Sequence, residues 1–299
     1  MDEILLWKRD DINHNINNNK KNGSLIRWEL ASTCNYQCAY CNIQNKFQID
    51  TYGGRYNPEF IANCFKKIGD NLFIVLIGAE PLLYPNLVAL CEELTKNNYI
   101  FLTTNLSTNT AIEFADRISP TRVKCVYTSF HPTEIEKTKF GKERFIERYK
   151  YFEEKGFKII LTYLVYPILL DRFESDFTYF HKNKIFSATT KPYNGVFMGK
   201  HYPNSYTLYE KQRILNYCQM DIESNIMTGN KFYCKEKICN AGFGSVLIDY
   251  KGDVRRCITN EKYFGNFYTD EIKLDKFPEP CTSDYCFCHY ERKIFLHDI

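Results

Sequence analysis

The chain has 299 residues, of which 44% are hydrophobic and 25% charged, and its 39 basic and 36 acidic side chains leave a formal net charge of +3. This composition is that of an ordinary globular protein, and it excludes a globally disordered or fibrous chain. The near balance of charge predicts neither a nucleic acid nor a membrane as partner.

The cysteines are the unusual feature, because there are 13 of them. An odd number leaves one thiol over from any closed set of disulfides. The N-terminus shows no basic start, long apolar core and small-residue cleavage site of a signal peptide. No stretch approaches the ~18 apolar residues of a membrane span. We therefore expect a cytoplasmic protein whose thiols serve metal binding more than disulfides.

The first predicted segment is polar and of low complexity. Residues 13–22 include six asparagines, which predicts a flexible N-terminal segment over residues 1–22.

From residue 25 onward, strand patterns and helix patterns alternate. The predicted strands cover residues 25–30, 72–77, 99–103, 122–128, 158–165 and 185–190. The predicted helices between them cover residues 57–67, 85–97, 110–118, 142–155 and 169–183. This alternation predicts an α/β fold of parallel strands joined by crossover helices, namely a partial (β/α)6 TIM-like barrel over residues 23–192. An open doubly wound sheet is the alternative, because periodicity alone does not separate the two.

The pattern changes after the sixth predicted strand. Residues 193–235 form a predicted connecting segment with a helix at 208–218. Strands predicted at 245–250 and 253–257 flank Lys251 and Gly252, a pair typical of a hairpin turn. We expect a small α+β cysteine-rich module over residues 236–299.

Three cysteines follow the first predicted strand directly: Cys34, Cys38 and Cys41. Three thiolates do not complete a four-coordinate zinc site, but they can hold three irons of an iron–sulfur cluster and leave the fourth iron open to a ligand. The C-terminal ends of barrel strands are also where active sites lie. The alternative is a zinc knuckle with His131 as a distant fourth ligand.

The spacing of these cysteines, with Tyr40 at the aromatic position, resembles the CxxxCxΦC motif of radical S-adenosylmethionine (SAM) enzymes. Further matches to that family follow the second, third, fourth and sixth predicted strands. They are Gly78-Ala79-Glu80-Pro81, Thr103-Thr104-Asn105, Ser129-Phe130-His131 and Lys191-Pro192. The first of them resembles the family's GGEP motif, with Ala79 in place of the second glycine.

The resemblance implies that Cys34, Cys38 and Cys41 bind a [4Fe–4S] cluster whose fourth iron is chelated by SAM. It also implies a set of SAM-binding residues at the barrel mouth, for which turn, cap and packing roles are the alternative. The set consists of Tyr40, Gly78, Ala79, Glu80, Pro81, Asn105, Ser129 and Lys191.

A second group of cysteines lies near the C-terminus. Cys239 and Cys257 occur in a C-x12-G-x4-C pattern that resembles the auxiliary-cluster modules called twitch and SPASM. The resemblance implies that the cluster draws its remaining ligands from Cys281, Cys286 and Cys288. The ending C-x4-C-x-C is shorter than a full SPASM series and favours a single auxiliary [4Fe–4S] cluster. A four-cysteine zinc ribbon is the alternative.

Five cysteines belong to neither group. Cys64, Cys91 and Cys125 lie within predicted helices or a strand and are expected to be packing thiols. Cys218 and Cys234 lie in the connecting segment and are candidate catalytic hydrogen donors to a substrate radical. For Cys234, cluster ligation is a further possibility, and packing is the alternative for both.

The resemblance implies an oxidoreductase that cleaves SAM reductively to a 5′-deoxyadenosyl radical. That radical takes hydrogen from a peptide, as in ribosomal peptide natural-product maturation, or from a small polar metabolite. It also implies an electron donor such as flavodoxin or ferredoxin. Only 33 residues precede Cys34, so the N-terminal peptide-binding domain of many peptide modifiers is not expected. The alternatives are a glycyl-radical-enzyme activase and a non-catalytic zinc or iron–sulfur binding protein.

Overall fold

The fold is known from a computed structural model, which describes residues 24–31, 33–41, 57–219, 221–229, 233–269 and 271–286. The predicted flexible segment 1–22 and Cys288 lie outside the described residues.

The strands and helices alternate along the first two thirds of the chain, as predicted. The strands are β1 Leu25–Ala31, β2 Phe73–Gly78, β3 Tyr99–Thr104, β4 Val123–Phe130, β5 Ile159–Val165, β6 Thr189–Pro192, β7 Gly195–Phe197, β8 Lys200–Tyr202, β9 Ile238–Cys239, β10 Ser245–Ile248, β11 Asp253–Arg255, β12 Tyr263–Asn266 and β13 Glu279–Pro280. The helices are α1 Pro58–Ile68, α2 Leu87–Thr95, α3 Thr110–Arg117, α4 Pro132–Ile135, α5 Gly141–Glu154, α6 Phe173–Lys182, α7 Leu208–Leu215 and α8 Asp221–Thr228.

Nine strands form one sheet in the order β12-β11-β10-β1-β2-β3-β4-β5-β6. Strands β1 to β6 are parallel neighbours in chain order. A doubly wound sheet reverses its strand order at a switch point, whereas a barrel adds strands in sequence. Because β6 and β12 are the two outer strands of this sheet, the barrel is open. The predicted partial (β/α)6 barrel is therefore confirmed, and the doubly wound alternative is wrong.

The two faces of the sheet differ in what covers them. One face packs against the helices in the main core, which contains Trp28, Phe65 and Phe114. The opposite face carries a smaller cluster of alternate strand residues: Leu25, Phe73, Val75, Phe101, Cys125, Tyr127 and Ile160. This face, which points away from the helices, is the inner face of the barrel. Since side chains of a strand alternate between faces, Arg27 and Glu29 lie on the inner face together with Leu25.

The C-terminal strands extend the barrel sheet. Strand β10 runs parallel to β1, with Arg27 opposite Leu247, and β11 and β12 continue antiparallel. The predicted hairpin therefore exists, and it lies directly beside the first barrel strand. The domain boundaries themselves stay a prediction.

Several element boundaries differ from prediction. Pro167–Leu169 is a 3-10 turn, so α6 begins only at Phe173. The sixth strand begins at Thr189 instead of residue 185, because its pairing with β5 starts at Thr189, opposite Thr162. The connecting segment also contains the two-stranded hairpin β7–β8, which was not predicted.

In the parts of the chain that the structure describes, no helix is long and apolar enough to cross a membrane.

Candidate functional site

The three-cysteine loop lies at the C-terminal end of β1, as predicted. The Cys34 side chain is exposed, Cys38 is buried and Cys41 is partly exposed. The loop turns back on itself, since the Cys41 N–H donates to the Cys38 carbonyl at 3.0 Å. The Tyr36 N–H donates to Cys34 Sγ at 3.3 Å.

Side chains and backbone from the ends of β2 and β3 fasten the first half of this loop. The Glu80 N–H donates to the Thr33 carbonyl at 3.0 Å. The Asn105 side-chain amide donates to Asn35 Oδ1 at 3.2 Å and lies 3.8 Å from Cys34 Sγ. Residues that follow three successive strands therefore meet at one edge of the sheet.

The end of β4 fastens the second half of the loop. The Gln37 N–H donates to Glu134 Oε2 at 3.1 Å, and Glu134 lies on the short helix α4. The Tyr40 hydroxyl and His131 Nδ1 are 2.7 Å apart. The loop that carries the candidate ligands Cys34, Cys38 and Cys41 is thus held by protein contacts in both of its halves.

Glu80 ties β2 to β3 at this edge. Its side chain is buried, and Oε1 accepts from Thr104 Oγ1 at 2.7 Å and from the Leu82 N–H at 3.0 Å. Oε2 accepts from the Asn105 N–H at 2.7 Å. Burial raises the pKa of Glu80 to about 7, against the lowering effect of these hydrogen bonds. The carboxylate that was predicted to face SAM is thus held by three protein donors.

His131 is packed among aromatic rings. Its ring centroid lies 5.9 Å from that of Tyr40 in a stacked arrangement and 5.8 Å from that of Tyr36 in an edge-on one. Desolvation lowers the pKa of His131 to about 4, although the nearby Glu134 carboxylate acts in the opposite direction. His131 is therefore neutral at physiological pH and pairs with Tyr40 through Nδ1. The alternative role of His131 as a zinc ligand stays untested.

Two of the loop thiols, Cys34 and Cys38, favour the protonated state in the absence of a metal. Burial raises the pKa of Cys34, and it raises the pKa of Cys38 to about 12, where nearby Glu134 adds to the effect. Ligation requires thiolates, so cluster binding would release protons. A soft three-thiolate donor set suits iron–sulfur binding, and the residues present therefore fit that group.

The remaining predicted SAM-binding residues lie at the same edge of the sheet. Gly78 ends β2, with Ala79 after it, and Pro81 begins a 3-10 turn. Near the end of β4, the hydroxyl oxygen of Ser129 lies 3.1 Å from that of Thr162. Lys191 lies near the end of β6 and is half-buried. Their contacts with SAM stay predictions.

Five thiols form a second cluster beside the C-terminal hairpin. Four of them are buried, namely Cys234, Cys239, Cys257 and Cys286. The fifth, Cys281, is partly buried and packs against these four. The sulfurs of Cys234 and Cys281 are 3.6 Å apart. Among the residues described here, no three His, Cys, Asp or Glu side chains are arranged to hold a single metal ion.

The two candidate hydrogen donors lie in different places. Cys234 belongs to the second thiol cluster, and its other suggested role, as a cluster ligand, stays a prediction. Cys218 lies beside the beginning of β6, since the carbonyl of Tyr217 accepts from the Thr190 N–H at 3.1 Å and the N–H of Gln219 donates to Thr189 Oγ1 at 2.9 Å. That is the opposite end of the strand from the cysteine loop. A donor role for either cysteine stays a prediction.

Two positioning side chains were missed by the sequence analysis. Glu134 contacts the cysteine loop, as described above. Arg148 on α5 is buried and donates to the Leu106 carbonyl at 2.6 Å and to Asn109 Oδ1 at 2.8 Å, which holds the segment that follows β3. No local pattern marks either residue, because the partner groups lie 97 and 42 positions away in the chain.

An open parallel α/β barrel that carries a three-cysteine loop at its strand ends defines a class of iron–sulfur enzymes. The profile of the Radical SAM superfamily matches residues 28–182 of this chain, and the chain belongs to that superfamily of enzymes. The family resemblance inferred from the motifs is thereby confirmed. Members of this superfamily use a [4Fe–4S] cluster and SAM.

Solved structures with the same fold share little sequence with this chain. The structure of Streptococcus suis SuiB bound to S-adenosylmethionine matches with a TM-score of 0.60 at 15% identity, over 84% of this chain and 64% of that one. SuiB bound to its precursor peptide SuiA matches with a TM-score of 0.58 at 16% identity and the same coverage. This chain thus spans less than two thirds of the length of SuiB.

A second protein, anSMEcpe with bound AdoMet, matches with a TM-score of 0.58 at 15% identity, over 92% of this chain and 80% of that one. A search of curated proteins found no match.

Proposed function

We propose that this protein cleaves SAM reductively at a [4Fe–4S] cluster bound by Cys34, Cys38 and Cys41 and uses the resulting radical to take hydrogen from a substrate. When bound, the cluster and SAM supply the electron and the carbon–sulfur bond that is cleaved. The observation that carries this proposal is the placement of the cysteine loop beside the ends of β2, β3 and β4, where Glu80, Asn105 and Glu134 contact it.

The protein's own contribution is to hold these groups in place. The tethers to Thr33, Asn35, Gln37 and Tyr40 fix the loop, so that its thiols do not need to be ordered at the moment of binding. The strand ends around it offer Ser129 and Lys191 as polar partners for SAM.

The experiment that tests the proposal changes Cys34, Cys38 and Cys41 together to Ala. We expect the triple variant to lose about half of the roughly eight irons of a two-cluster protein and all formation of 5′-deoxyadenosine from SAM under reduction. Cys64→Ala, a buried thiol on α1, is the matched control and should keep both. Retained SAM cleavage in the triple variant would refute the assignment.

We propose further that the second thiol cluster binds an auxiliary [4Fe–4S] cluster. The support is the gathering of Cys234, Cys239, Cys257, Cys281 and Cys286, which brings one more thiol than four ligands require. Iron and zinc analysis of a Cys239→Ala/Cys257→Ala variant tests this. Loss of about four irons with the SAM-binding cluster intact is the expected result, whereas loss of zinc alone would establish a zinc ribbon.

For the substrate we propose a peptide, with a small polar metabolite as the second choice. The structure of SuiB was solved with the precursor peptide SuiA bound, and that of anSMEcpe with the Kp18Cys peptide bound. The inner face of the sheet here carries a partly exposed pair, Arg27 and Glu29, with 3.7 Å between their charged atoms. Such a pair can bind the carbonyl and N–H of a peptide group.

Mass spectrometry after incubation with SAM and a reduced flavodoxin or ferredoxin distinguishes the two substrates. The trial substrates are short peptides encoded beside the gene and, separately, a polar metabolite extract. A mass change in a peptide supports the first choice. Conversion of a metabolite with every peptide unchanged selects the second.

A further inference from the structure

Glu134 combines two properties that are unusual for a charged residue beside the cysteine loop. Its side chain is only 6% exposed, and its Oε2 atom accepts the N–H of Gln37, the residue directly before Cys38, at 3.1 Å. Helix α4, which carries Glu134, starts immediately after His131. The backbone of Glu134 therefore follows the end of β4 directly, while its carboxylate is hydrogen-bonded to the cysteine loop.

The carboxylate is ionised and only partly neutralised. Although burial acts against the charged form, hydrogen bonds from Lys137 and the Gln37 N–H hold the pKa of Glu134 below its usual range. Lys137 Nζ lies 2.7 and 2.8 Å from the two carboxylate oxygens. The Lys137 side chain is 59% exposed, so solvent screens much of its positive charge, whereas the buried negative charge of Glu134 is screened less.

We propose that Glu134 is a positioning residue of the radical SAM site, which fixes the Gln37–Cys38 segment and lowers the reduction potential of the cluster with its negative charge. This inference rests on the proposed function. Net charge and hydrogen bonding around a cluster set its potential, and a nearby anion disfavours the added electron. A low potential is what reductive cleavage of SAM demands of the cluster.

The test is a redox titration of the reconstituted protein without SAM, in which electron paramagnetic resonance measures the reduced cluster. The signal of this cluster is identified by its loss in the Cys34/Cys38/Cys41→Ala variant. Glu134→Gln keeps a side-chain oxygen for the Gln37 N–H but removes the charge. We expect the ratio of reduced to oxidised cluster at a fixed potential to rise about threefold to tenfold, where tenfold corresponds to 59 mV for one electron.

Two further variants test the sign of the change in the reduced fraction and its specificity for Glu134. Lys137→Gln removes the partly compensating positive charge, so the reduced fraction should fall. Glu136→Gln is the matched control, because the ion pairs of Glu136 run to Arg172 and Lys142 and its loss should leave the ratio unchanged. An unchanged ratio in both Glu134→Gln and Lys137→Gln would overturn the role in setting the potential.

Positioning is measured separately in the metal-free protein. Glu134→Ala removes the acceptor, and amide hydrogen exchange at Gln37 and Cys38 should become at least tenfold faster than in Glu134→Gln. Equal exchange in the two variants would overturn the positioning role. A reconstituted protein that shows these shifts but fails to cleave SAM would refute the proposed function and leave this inference standing.

Discussion

The backbone N–H of Asn105 donates a 2.7 Å hydrogen bond to Glu80 Oε2 and thereby joins the ends of β3 and β2. Two more donors, Thr104 Oγ1 and the Leu82 N–H, complete the environment of the same buried carboxylate. At the edge of the sheet that carries the candidate site, the Glu80 side chain at the end of β2 thus accepts hydrogen bonds from residues at the end of the neighbouring strand β3.

The first prediction concerns Glu80→Gln. The substitution replaces one carboxylate oxygen by an NH2 group, which is a donor. At least one of the three groups that donate to Glu80 then points at this NH2 group and loses its acceptor. We expect the free energy of unfolding to fall by about 1–3 kcal/mol, measured by urea denaturation of the metal-free protein. Glu59→Gln, at an exposed position in the first turn of α1, is the control. Equal stability of the two variants would contradict this role of Glu80.

The second prediction concerns pH. The pKa of His131 is lowered by desolvation to about 4, while the unfolded chain takes up a proton near pH 6.5. Between these values the unfolded state binds more protons, so the contribution of His131 to stability is lost as the pH falls from about 6.5 to about 4.

This contribution is measured as the difference between wild type and His131→Gln, which removes the titration and keeps an acceptor for Tyr40. We expect the stability of the metal-free wild type, relative to the variant, to decrease by about 3 kcal/mol over that range. Parallel stability curves would show that His131 is not desolvated in the folded state.

The third prediction compares two arginines on one helix. Arg148 is buried and its loss leaves the Leu106 carbonyl without this donor, whereas Arg144 one turn earlier is exposed. Arg148→Met should lower the free energy of unfolding by about 2–4 kcal/mol, and Arg144→Met by less than about 0.5 kcal/mol. Thermal unfolding of both variants measures this. Similar melting temperatures would contradict a positioning role for Arg148.

The fourth prediction concerns the glycine of the C-x12-G-x4-C pattern. Gly252 has φ 89°, and a Cβ atom there would lie 2.3 Å from Cδ2 of Tyr268. Gly199 also has positive φ, 74°, but a Cβ atom there meets open space. Gly252→Ala should therefore cost about 2–3 kcal/mol and Gly199→Ala about 1 kcal/mol. Denaturant unfolding checks the order, and a larger loss at Gly199 would refute the packing argument.

Much of the barrel was predictable because its signals are local. The apolar run of β2 and the amphipathic helices identify their elements within short windows, and Cys34, Cys38 and Cys41 lie within one loop. Strand ends of a parallel sheet converge, so the motifs that follow β2, β3 and β4 could be expected to meet. The late start of β6 was missed, since an apolar residue such as Ile185 fits the helix-packed core as well as a strand.

The sequence by itself determined the alternation of strands and helices, the superfamily and the candidate ligands of the first cluster, because each depends on residues close together in the chain. Only the tertiary structure decided that β10 pairs with β1, that Cys234 lies 3.6 Å from Cys281, and that Glu134 holds the loop before Cys38. The physical reason is that these contacts join residues 47 to 97 positions apart or strands from opposite ends of the chain. No local periodicity encodes such pairings, which depend on how the whole sheet and its helices pack.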